Sequence, residues 1–118
     1  MERERINRIV NLEDLSIEGY AEQILHEKGF KKTWAGYPII LEILKMHDDP
    51  YGWRMVRDLR MIAREMNVPV INLKQNVYNA VRFAMGDEHE PSYFIREMIM
   101  EMREARQIAN KMGIKGFE

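Results

Sequence analysis

Between Leu59 and Met85 the sequence LRMIAREMNVPVINLKQNVYNAVRFAM carries two helical patterns separated by a short break at Asn67-Val68-Pro69. Ile62 and Met66 stand one turn apart in the first. Leu73, Val77, Ala80, Val81 and Ala84 share one face of the second at the period of an α-helix. Two apolar stripes so close in sequence are most simply buried against each other and a common core. Ala63 leaves room for a close crossing. Asn67 tolerates the left-handed backbone that a sharp turn demands. Pro69 suits a helix start, where its missing N–H leaves no partner unsatisfied. This is the pattern of a helix-turn-helix, whose second helix lies in the major groove of DNA. An ordinary pair of antiparallel helices produces the same pattern, and charge separates the two.

Residues 51–85 hold six basic side chains (Arg54, Arg57, Arg60, Arg64, Lys74, Arg82) and two acidic ones (Asp58, Glu65), a balance of +4. The whole chain is −1, so the rest carries −5. A basic segment within a mildly acidic protein is what local attraction to phosphate leaves in a sequence.

The 118 residues suit one domain with one core. The hydrophobic share of 46% beside 31% charged residues places the chain among ordinary soluble proteins. No apolar run reaches the length of a membrane span, and MERERINRIV is too charged for a secretory signal. With no cysteine, disulfides and thiolate metal sites are excluded, which suits a cytoplasmic protein.

Residues 1–15 read as an N-terminal extension, either a short helix or frayed, ahead of a helical domain over 16–118. Ser16 is placed to cap a helix that Gly29 ends. A second helix runs from about Tyr37 to His47, with Thr33 as a possible cap; it is apolar on most faces and so central. The loop Asp48-Asp49-Pro50-Tyr51-Gly52 follows. A third helix spans Trp53 to Met66 and a fourth Val70 to Met85. Ser92 is placed to cap the last helix, which Gly113 stops. On it Ile95, Met98, Met102, Ala105, Ala109 and Met112 alternate spacings of three and four, a heptad-like seam. The expectation is five main helices, no strands, and Leu41, Leu44, Ile62, Leu73, Val77 and Val81 in one core: an all-α, compact helical bundle containing a helix-turn-helix.

Ile24-Leu25-His26-Glu27-Lys28-Gly29, then Gly36-Tyr37, then Ile62-Ala63-Arg64-Glu65-Met66-Asn67, and finally Leu73, Val77, Ala80, Val81 and Ala84 stand in a specific order and spacing. In these residues the chain resembles the C-terminal DNA-binding effector domain of the stage-zero sporulation response regulators of spore-forming Firmicutes. The similarity covers roughly residues 17 to 86 and weakens over Pro91 to Met102. It implies a bundle built around a helix-turn-helix that binds short DNA boxes as tandem or paired domains. Where that family reads DNA with arginines and a glutamate, this chain has Asn72, Lys74, Gln75 and Tyr78. The family's target sequence is therefore not carried over. The residues ahead of Ser16 leave no room for its receiver domain, and the segment before its last helix is shortened to Gly86–Pro91. Neither phosphorylation control nor sigma contact is carried over.

Opposite the apolar stripe of the fourth helix lie Ile71, Asn72, Gln75, Tyr78, Asn79 and Arg82, and Lys74 joins them as a base-reading candidate. Asn and Gln can bond an adenine edge with two hydrogen bonds, and Ile71 can meet a thymine methyl. Any exposed helix also needs a polar outer face. Arg54, Arg57, Arg60 and Arg64 recur at three and four, as phosphate clamps or as a solvated face. Lys31 and Lys32 are further backbone candidates. Met98, Met102 and Ala105 are expected either to fill the core or to form a dimer seam. His26, His47 and His89 stand singly, so no metal site is expected. No nucleophile elbow, phosphate loop or paired-carboxylate pattern appears, so neither an enzyme nor a cofactor is expected.

Two functions remain. The first is a DNA-binding transcriptional regulator, dimeric or in tandem on double-stranded DNA. The second is a protein–protein module that pairs with a related sporulation-type regulator without reading DNA itself.

Overall fold

A computed structural model describes residues 2–47 and 49–117. Met1 of the N-terminal extension and Asp48 of the acidic loop lie outside the described residues. Among those described there are six helices and no strand: α1 (Glu2–Val10), α2 (Ile17–Glu27), α3 (Tyr37–Met46), α4 (Met55–Met66), α5 (Val70–Met85) and α6 (Pro91–Lys111). No helix is long and apolar enough to cross a membrane.

Three of these helices stop by the same device. The residue after the last turn adopts a left-handed conformation, and the next N–H reaches back five residues to a carbonyl of the last turn. Phe30 donates to Leu25, Val68 to Ala63 and Ile114 to Ala109, at 2.9, 3.0 and 2.9 Å. Glycine holds the left-handed position in two cases, and Asn67 (φ 57°) in the third. In each case the donor is apolar, Phe30 buried in the core and Val68 and Ile114 half-buried against it. Asn67 thereby closes α4 and points the chain into α5 within three residues.

The caps differ from expectation in detail. Ser16 does cap α2, its hydroxyl accepting from the Gly19 N–H. Ser92 does not cap α6: Glu90 accepts the Tyr93 N–H at 2.8 Å, and the Ser92 hydroxyl donates to that same carboxylate. Helix α3 starts from Gly36 with no side-chain cap, so Thr33 has no capping part. Pro69 sits one residue before α5 rather than on its first turn.

Helix α3 is central, packing against α2, α5 and α6 with Ile39, Ile40, Ile43 and Leu44 buried. Leu44, Ile62, Leu73, Val77 and Val81 lie in the core as expected. Leu41 lies half-buried at its edge, on the side of α3 turned from the centre, and Ala84 is half-buried too. Met66 is 54% exposed at the end of α4, while Ala63 is buried and Val68 half-buried against the core.

The N-terminal residues form a docked helix rather than a frayed end. Ile9 of α1 is fully buried, and the Arg5 guanidinium lies across Glu101 of α6 at 2.8 and 3.1 Å while also pairing with Glu104. Arg8 reaches both Glu27 and the Tyr20 hydroxyl, which itself donates to Glu101 at 2.7 Å.

Of the two roles expected for the α6 stripe, core filling holds and the dimer seam does not. Met98, Met102 and Ala105 are 8%, 0% and 0% exposed, inside the protomer's own core. They cannot face a partner without opening the fold. Helix α6 packs on α1, α2, α3 and α5 together, and that enclosure explains the long apolar stripe.

Candidate nucleic-acid interface

Helix α5 is anchored on one side by Leu73, Val77, Ala80 and Val81. It is also held against the start of α3, where Gly36 meets the Asn76 carbonyl and Ala80. The opposite side faces outward. Ile71, Asn72, Lys74, Gln75, Asn79 and Arg82 are exposed and Tyr78 is half-buried, with Gln75 near the middle of the arc. Arg82 stands apart: its Nε lies 3.2 Å from Asp87, so a carboxylate from the following turn already holds it. The Lys74 ammonium lies 5.5 Å from the Tyr78 ring centre, a cation–π contact.

A groove of about 880 Å³ runs between α4, the Lys74/Tyr78 edge of α5 and the first two turns of α6. Met55 and Leu59 contribute its apolar floor. Arg54 at the N-cap of α4 lines it with Arg57, Arg60 and Arg64 from that helix, Lys74 from α5 and Arg96 from α6, and no carboxylate lines it. Among the described residues, no hydrogen bond or ion pair engages the guanidinium of Arg54, Arg57, Arg60 or Arg64. A second hollow of about 540 Å³ shares Arg60 and Arg64 and continues under the turn at Asn67. Lys31 and Lys32 lie outside both hollows, and Lys32 pairs with Glu22.

In sequence Asp58 stands as an acid offsetting these arginines. It is instead buried on the inner side of α4. There its carboxylate accepts the Trp53 indole N–H at 2.7 Å. The His47 Nε2 also lies 2.7 Å away, close enough for an ion pair but off the hydrogen-bond direction. The outer face of α4 is thus more cationic than its composition suggests.

Arg96 is the residue that sequence reasoning missed. Its guanidinium donates to the Trp53 carbonyl at 3.1 Å and lies 5.8 Å from the centre of that residue's rings. No local pattern announces this, since the two residues are 43 positions apart.

The polar cluster of α1, α2 and α6 is structural in character. The Arg8 hydrogen bonds hold the Glu27 carboxyl below its usual range, outweighing partial burial. Burial acts to raise the Glu101 carboxyl, but Arg5 and the Tyr20 hydroxyl outweigh it and its pKa is lowered. Burial, and then the Glu101 carboxylate, push the Tyr20 phenol up.

Compared with family models, with curated proteins and with solved structures, the chain matches none.

Proposed function

We propose that this chain is a DNA-binding transcriptional regulator in which α4, the Asn67 turn and α5 act as a helix-turn-helix. Helix α5 enters the major groove. Asn72, Gln75 and Asn79 meet base edges, Ile71 meets a thymine methyl, and Tyr78 lies against sugar or phosphate. Arg54, Arg57, Arg60 and Arg64 hold the neighbouring backbone. The observation that carries the reading is the uncompensated arginine groove directly beside an outward face of amide side chains. The resemblance to the sporulation effector domains supports the same assignment, with a changed target sequence. The protein acts in the cytoplasm, without enzymatic activity or cofactor, as a pair of copies on tandem half-sites. With the α6 seam enclosed, that pairing is set by the DNA or by another face. Selection of bound oligonucleotides, followed by a salt titration on the selected site and on random duplex, tests this. A selected motif bound more tightly than random duplex is expected.

One observation favours the second reading. Ile71 and Phe83 on α5 are 63% and 68% exposed, more large apolar surface than base reading needs. A module that pairs with a related regulator would use that surface. In that case the selection returns no motif, and binding to duplex is weak and uniform.

A further inference from the structure

We infer that Arg96 is a third-wall phosphate contact, so that one DNA strand runs through the groove between α4 and α6 rather than over α4 alone. The inference rests on the DNA-binding reading above and extends it to a helix outside the helix-turn-helix.

The argument starts from the convergence of charge. Arginines that merely solvate one helix need not face cations from two others. Here Arg96 from α6 and Lys74 from α5 share one concavity with the α4 stripe, and no acid lines it. Like charges held together around a hollow repel one another, and an anion in the hollow relieves that repulsion. The nearby carboxylate of Glu90, which feels the charge of Arg96, is occupied in capping α6.

Arg96 is also pre-positioned. Its guanidinium is fixed by the Trp53 carbonyl and rests by the Trp53 rings, and Trp53 is in turn fixed by buried Asp58. A buried carboxylate is a costly way to fill space, and an apolar side chain would do so more cheaply. What the Asp58–Trp53 bond adds is orientation. It sets the indole plane against which the guanidinium rests, while the Trp53 main-chain carbonyl holds the guanidinium itself. A cation whose geometry is set beforehand loses less side-chain entropy on meeting a phosphate.

The test uses the whole chain and a short random-sequence duplex, with the logarithm of affinity followed against the logarithm of salt. Each lost phosphate contact shallows the slope by about 0.9. Arg96→Gln is expected to shallow it by about that amount, as Arg60→Gln does, while Arg96→Lys keeps most of it. Trp53→Phe, which removes the anchoring N–H, is expected to weaken binding, and the double variant Trp53→Phe/Arg96→Gln to bind no worse than Arg96→Gln alone. Circular dichroism confirms that each variant is folded. If Arg60→Gln shallows the slope and Arg96→Gln does not, the third wall is wrong and the DNA reading stands. Additive losses in the double variant would overturn the positioning by Trp53. A shallower slope for Arg96→Gln, with Gln75→Ala unchanged on every duplex, supports the groove while removing base reading by α5. A wild-type chain with no salt-dependent duplex affinity overturns both.

Discussion

Gly36 lies so close to the Asn76 carbonyl that a Cβ at this position would overlap it, and would also press on the Ala80 methyl. This contact ties the start of α3 to the middle of α5 and sets the depth at which the proposed reading helix sits. Gly36→Ala is therefore expected to destabilise the fold by about 1–3 kcal/mol, as overpacking does elsewhere. Chemical denaturation measures it. Wild-type stability would mean that α3 and α5 can part without penalty.

Burial of the α6 seam makes Met102→Glu a test of fold rather than of association. Met102 is enclosed by α6's own neighbours, and an unpaired carboxylate there loses its hydration without gaining a partner. Loss of the helical circular-dichroism signal is expected. A folded variant that merely changes its sedimentation behaviour would restore the seam as an interface.

Acid should weaken the docking of α1. The Glu101 and Glu27 carboxyls are lowered in the folded chain, so they add stability that is fully present above their unfolded pKa values. That contribution is lost as pH falls through the lower, folded values. Denaturant titrations from neutral pH down through the carboxylate range should show falling stability, with a smaller fall in Glu101→Gln. Equal pH dependence in the two proteins would assign the effect to other groups.

The helical architecture was legible because its signals are local. Ser16, Gly29, Asn67 and Gly113 mark boundaries through their own backbone and capping chemistry, and the periodic stripes need only a few turns to declare themselves. What escaped were matters of partner. The stripe on α6 is the same whether a second copy or the protomer's own helices cover it, so spacing alone could not exclude a dimer seam. The docking of α1 depends on Arg5 meeting Glu101, 96 residues away. Asp58 looked like a surface acid because it sits among arginines in sequence, whereas its partners Trp53 and His47 draw it inward. In the candidate site, the outward residues of α5 follow from helical period alone. The groove needed Arg96 from α6, and no motif links that residue to α4.

Gln75→Ala, set beside Arg60→Ala on a selected site and on random duplex, tests the central claim most directly. Gln75 lies mid-arc on the outward face of α5, and Arg60 lines the groove. If α5 reads bases, Gln75→Ala loses about 1–3 kcal/mol on the selected site and much less on random duplex. Arg60→Ala weakens both about equally and shallows the salt slope by roughly one. Wild-type affinity of both variants for every duplex would contradict the account and leave partner binding as the function of residues 59–85.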